Sequence, residues 1–184
     1  MTRRLLSRLR GQGGYSLIEL IAVMAIFLTI VAALTTLFAS GAKAEMDLNR
    51  RFEAQQNARL AMDKLRRELH CSSGITAADG SALSPGVPVA AIRVTLPSHC
   101  PTANGVTTNV VYESVEVSGR WQVKRAGVVI ADYIRNDDVF TYTPQSTLTR
   151  ALLHVDLPVN VNPNEGWKAW RLVDDIVLRN TLRQ

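Results

Sequence analysis

From Tyr15 to Phe38 the chain runs through 24 residues in which the only ionisable groups are the Tyr15 phenol and the carboxylate of Glu19. At about 1.5 Å per residue a helix of that length reaches roughly 36 Å, enough to cross the hydrocarbon core of a bilayer. No soluble core of this size needs such a run, so the segment predicts a membrane-spanning helix. The flanks predict its orientation. Arg3, Arg4, Arg8 and Arg10 precede it with no acid among the first fourteen residues, whereas Lys43 on the far side is offset by Glu45 and Asp47. The positive-inside bias therefore places the N-terminus in the cytoplasm and the remainder outside.

That reading also accounts for the charge. The formal net charge is +5, from 21 Lys and Arg against 16 Asp and Glu, but four of the basic residues and none of the acids lie in the first fourteen positions. The remainder is close to neutral, so bulk charge does not support nucleic acid as a partner. About 144 residues follow the first forty, a length that suits one domain with its own core.

Three accounts of the N-terminus compete. A secretory signal peptide would use "AKA", Ala42–Ala44, as its cut site, but the apolar stretch exceeds an ordinary h-region and holds Glu19 near its start. An uncleaved anchor, carrying an ectodomain with a binding or sensory role, explains the length and leaves Glu19 and the Gly13-Gly14 pair without a purpose. The third account explains all three features. The stretch "GGYSLIELIAVMAIF" resembles the prepilin cleavage and methylation motif of type IV pilins and type II secretion pseudopilins, over Gly14 to about Phe38. The resemblance implies that a membrane aspartyl peptidase, the prepilin peptidase, cuts after Gly14 and N-methylates Tyr15. It also implies that Glu19 acts in assembly, pairing with the new amine of a neighbouring subunit. Tyr15 stands where phenylalanine is usual and Ser16 where threonine is common; both keep the expected size and character.

Beyond the membrane, Leu48, Phe52, Ala58, Met62, Leu65 and Leu69 recur at helical spacing among Arg50, Arg51, Glu53, Arg59, Asp63, Lys64, Arg66 and Arg67. No proline interrupts Tyr15 to Leu69, so one helix of about 55 residues is expected, loosened if anywhere at Gly41. The lack of proline in the membrane half also departs from many major pilins and hints at a minor subunit or pseudopilin.

After Leu69 the pattern changes. "CSSGITAADGSALSPGVP", Cys71 to Pro88, reads as a surface loop. Strand-like runs follow: "VAAIRVTL", "TTNVVYESVEV", "RWQVKRAGVVIADYI", "DVFTYTP" and "ALLHVDLPVNV". In the last, Leu153, Val155, Leu157, Val159 and Val161 share one face, and Pro158 suggests an edge or a strand end. Around "VEVSGRWQV" a three-residue loop, Ser118 to Arg120, would align Val117 with Trp121 and Val115 with Val123. Helix first and strands after predict an α+β, pilin-like fold, one long N-terminal helix packed on an antiparallel sheet. The expected divisions are a leader at 1–14 that is removed, an assembly helix at 15–38, its amphipathic continuation at 39–70 and a β-rich head at 71–184.

Cys71 and Cys100 are the only cysteines, and in an exported domain such a pair forms a disulfide. Each follows a histidine, but adjacent ligands suit tetrahedral zinc poorly, so no metal is assigned. Asp137 with Asp138 and Asp174 with Asp175 are candidate calcium ligands, and Trp167 with Trp170 a candidate sugar- or partner-binding face; solvated turns and buried aromatics explain them as well. No nucleophile elbow, phosphate loop or zinc-protease motif is present, so neither an enzyme nor a cofactor is expected. The expected partners are other pilin or pseudopilin subunits, the prepilin peptidase, the assembly machinery of the cytoplasmic membrane, and membrane lipid before assembly.

Overall fold

The structure, a computed structural model, describes residues 15–161 and 170–179. The chain divides into two compact units between Met46 and Asp47. One helix, α1 (Leu17–Cys71), supplies residues to both, and it passes Gly41 without a break.

In the first unit α1 exposes an apolar surface from Leu17 to Phe38, with Leu17 and Ile18 at 79% and 76%. In the second, α1 buries Ala54, Ala58, Ala61, Met62, Leu65 and Leu69, residues spaced three and four apart on one face. Leu48 and Phe52 were expected on that stripe and are instead largely exposed, at 65% and 66%. The buried stripe starts at Ala54, and alanine at three of its positions takes little room between helix and sheet. The helix stops where Ser72, itself buried, returns its hydroxyl to the carbonyl of Leu69 at 2.8 Å.

Among the described residues nine strands form one antiparallel sheet: β1 (Gly74–Ala77), β2 (Pro88–Val89), β3 (Ala91–Leu96), β4 (Thr108–Val117), β5 (Arg120–Arg125), β6 (Val128–Ile134), β7 (Phe140–Thr143), β8 (Leu152–Val159) and β9 (Trp170–Val177). Their order is β1-β3-β4-β5-β6-β8-β7-β2, with β9 on the remaining edge of β8. Alternate residues turn inward. Ile92, Val94 and Leu96 of β3, Val110 and Tyr112 of β4, and Leu153, Val155, Leu157 and Val159 of β8 join the helix stripe in one core. Each large apolar side chain so buried stabilises the fold by about 1.5–3 kcal/mol. The expected α+β architecture is what forms.

Three local expectations fail. Within Cys71 to Pro88, read as loop, the chain forms β1 against β3 and buries Leu83 at 9% exposure. The β4–β5 connection has two residues rather than three: Val117 pairs with Arg120 and Ser114 with Val123. Ser118 at φ 54° and Gly119 at φ 76° close a turn whose twist matches the strands, and this outweighs the alignment of valines. Val115 and Val117 therefore leave the core face. Likewise Ala126 (φ 48°) and Gly127 (φ 80°) fold "RWQVKRAGVVIADYI" into two strands. Pro158, expected at an edge or a strand end, is the penultimate residue of β8, so the strand-end reading holds. Its carbonyl accepts the Arg135 N–H at 2.9 Å, and the N–H groups of Asp156 and Asn160 on either side reach the carbonyls of Val139 and Tyr133.

Candidate functional site

The first helical turn sets the geometry of the N-terminal site. The carbonyl of Ser16 accepts from the N–H of Glu19 at 2.9 Å and of Leu20 at 3.1 Å, which opens α1 just after Tyr15. Glu19 thus sits in the first turn, where the helix dipole favours an acid, one turn from Tyr15, which is 82% exposed. Downstream, every described hydroxyl of the apolar stretch turns back on its own helix. Thr29 donates to Ile26, Thr35 to Ala32, Thr36 to Ala33 and Ser40 to Leu37, at 2.7–2.8 Å. Those four O–H groups are satisfied without water, as hydrocarbon requires. The helix is long and apolar enough to cross a membrane, and none of that stretch is buried by the rest of the chain. Gly14 and the basic leader lie outside the described residues.

Residues 9–35 match the family model for the prokaryotic N-terminal methylation motif. The chain carries the prepilin-type signal. The motif supports a pilin- or pseudopilin-like processed subunit, and it implies prepilin peptidase processing and assembly with other pilin subunits. It belongs to a structural rather than an enzymatic class, and with the apolar helix it fits membrane anchoring. The match covers 27 of the 184 residues. Comparison of the chain with curated proteins and with solved structures found no match.

In the head, Cys71 at the end of α1 and Cys100 before the one-turn helix Pro101–Ala103 lie at disulfide distance, their Cα atoms 5.7 Å apart. His70 Nδ1 stands 3.1 Å from the carbonyl of Val177. Asp174 accepts both Nε and Nη2 of Arg66, at 3.0 and 2.7 Å, and Asp175 lies 2.6 Å from Nδ1 of His154. These two acids are therefore engaged with cations or imidazole, and among the described residues no three His, Cys, Asp or Glu side chains gather as a metal site. Arg59 lies over the Trp170 ring, 5.6 Å from its centroid, while Trp167 falls outside the described residues.

Sequence reasoning missed Glu68. It is 1% exposed, its Oε2 accepts the Tyr112 hydroxyl at 2.5 Å, and its Oε1 lies 2.8 Å from an Arg125 nitrogen. Burial and then the carboxylate push the Tyr112 phenol far above its ordinary range. Burial works against the charge on Arg125, but the bonds to Glu68 outweigh it and raise its pKa. The available signal was position: Glu68 falls on the same helical face as Ala61 and Leu65, where a charge must find partners.

Proposed function

We propose that the chain is a structural subunit, a minor pilin or pseudopilin, of a type IV pilus or type II secretion-like filament. The observation that carries this reading is the methylation motif at residues 9–35 ahead of a membrane-length helix. In this reading the leader, residues 1–14, is removed by cleavage after Gly14, Tyr15 is N-methylated, and the head is exported while the N-terminus stays inside. The lack of proline in the membrane half supports the minor or pseudopilin assignment over a major subunit.

The chemistry gives Glu19 a reason to exist. A charge near the bilayer centre costs roughly 2.5–3.5 kcal/mol on insertion scales, so a carboxylate in the apolar run needs a cation. Cleavage creates one, the amine of Tyr15. Pairing of that amine with Glu19 of a neighbouring subunit satisfies both groups in a low-dielectric bundle and draws subunits together. Residues 15–38 then form the assembly surface, and residues 71–184 the head outside it.

Intact mass of the membrane-extracted protein tests the reading. The expected product begins with N-methylated Tyr15, and Gly14→Val leaves a precursor that inserts but is not cut. A chain still beginning at Met1 would instead identify an uncleaved anchor, and one beginning at Glu45 a signal-peptidase product; either result sinks the proposal.

A further inference from the structure

Strand β6 holds a backbone conformation its sequence does not favour. Tyr133 has a φ of 62°, in the left-handed region, where a bulky aromatic residue is an outlier. The cause is a bulge. Trp121 pairs with Ile134 and Val123 with Ala131, so Asp132 and Tyr133 together oppose the single residue Gln122. The surroundings hold the strained residue in place. Asp132 Oδ1 accepts the Tyr133 N–H at 2.6 Å, and the Tyr133 carbonyl accepts the N–H of Asn160 at 2.8 Å. The Arg120 guanidinium covers the ring, 4.9 Å from its centroid. A bulge needed only for strand geometry would be served by glycine at this φ.

Tyr133 lines a cavity of about 190 Å³ with Arg120, Trp121, Arg135 and Asn160. Two aromatic residues, two arginines and an asparagine therefore line a space the size of one ring or side chain. Cationic charge exceeds anionic charge there. Asp132 is taken up by the Tyr133 N–H and by the Gln122 amide at 3.3 Å, and it reaches Arg120 only at 3.9 Å. Arg135 makes no ion pair among the described residues.

We propose that this cavity binds an acidic sugar, a pyranose ring bearing a carboxylate. The apolar C–H face of such a ring packs on the Trp121 and Tyr133 rings, and Arg135 with Arg120 takes the carboxylate. An acidic protein side chain offers the carboxylate but no flat apolar face to use both rings. The strain at Tyr133 is then the cost of placing its ring at the site. The inference rests on the head alone, so its failure leaves the subunit reading untouched.

Saturation-transfer NMR on the full chain in detergent micelles tests it, with sodium glucuronate, glucose and a capped glutamate amide as probes. Glucuronate is expected to bind at least tenfold more tightly than either of the others. Arg135→Gln, at an exposed side chain, and Tyr133→Gly should each weaken glucuronate binding at least tenfold, the latter with a thermal midpoint equal to or above that of the wild type. No transfer to glucuronate, equal binding of glucose or of the glutamate amide, or wild-type binding by Arg135→Gln would overturn the proposal. Should Tyr133→Gly fail to fold, the Arg135→Gln result decides.

Discussion

The Tyr112 hydroxyl donates to Glu68 across 2.5 Å, joining the last turns of α1 to the centre of β4. The same carboxylate takes Arg125 from β5, so one buried acid ties three elements together.

That contact makes stability fall in alkali. The unfolded phenol ionises near pH 10, whereas burial and Glu68 hold the folded phenol protonated well above that. Above about pH 10 the unfolded state therefore binds fewer protons than the folded state. A contribution fully present below pH 10 is lost as pH rises, at up to about 1.4 kcal/mol per pH unit. Urea unfolding between pH 9 and 11 should show this slope in the wild type and a shallower one in Tyr112→Phe. Equal slopes would mean that the phenol does not stay protonated in the folded state.

The Cys71–Cys100 link spans 29 residues, and closing a loop of that size contributes roughly 3–4 kcal/mol by constraining the unfolded chain. Thiol labelling of the exported protein after denaturation should find no free cysteine. Replacing both residues by serine should lower the unfolding midpoint by the corresponding amount, and two labelled thiols in the native protein would refute the assignment.

Ser118 occupies a left-handed position, φ 54°, in the β4–β5 turn, where asparagine is favoured. Ser118→Asn should stabilise the head by about 0.5 kcal/mol. Thermal unfolding reads this as a rise of about 1–2 °C; a fall would show that the serine makes a contact the turn depends on.

Glu19→Leu should leave insertion and cleavage intact, since neither needs the charge. If the carboxylate pairs with the Tyr15 amine of a neighbour, incorporation into filaments should drop sharply, because breaking one side of a buried pair costs about 3–5 kcal/mol. Recovery of the variant in sheared fibre fractions, at matched expression, makes the comparison. Recovery equal to wild type would remove the assembly role of Glu19.

What the sequence made legible followed from strong periodicity. Twenty-four residues with one acid leave little but a membrane-length helix, and the alternation of β8 names its buried face residue by residue. The turns were harder. "SG" and "AG" are weaker turn signals than Asn-Gly, so hydrophobic alignment suggested the wrong register at the first and hid the second. Glu68 was invisible for a different reason: its partners Tyr112 and Arg125 are 44 and 57 residues away, and only the folded sheet brings them to it. The bulge at Tyr133 is likewise a product of pairing between strands, with no local pattern to announce it.

The four hydroxyls folded back on the carbonyls of α1 have a consequence for exchange between environments. With those O–H groups already satisfied, leaving one apolar medium for another breaks none of their hydrogen bonds. Acyl chains and leucine side chains are alike in polarity. To the outer wall of this helix, a neighbouring lipid and a neighbouring helix are thus interchangeable solvents, and a passage from one to the other leaves those four bonds intact.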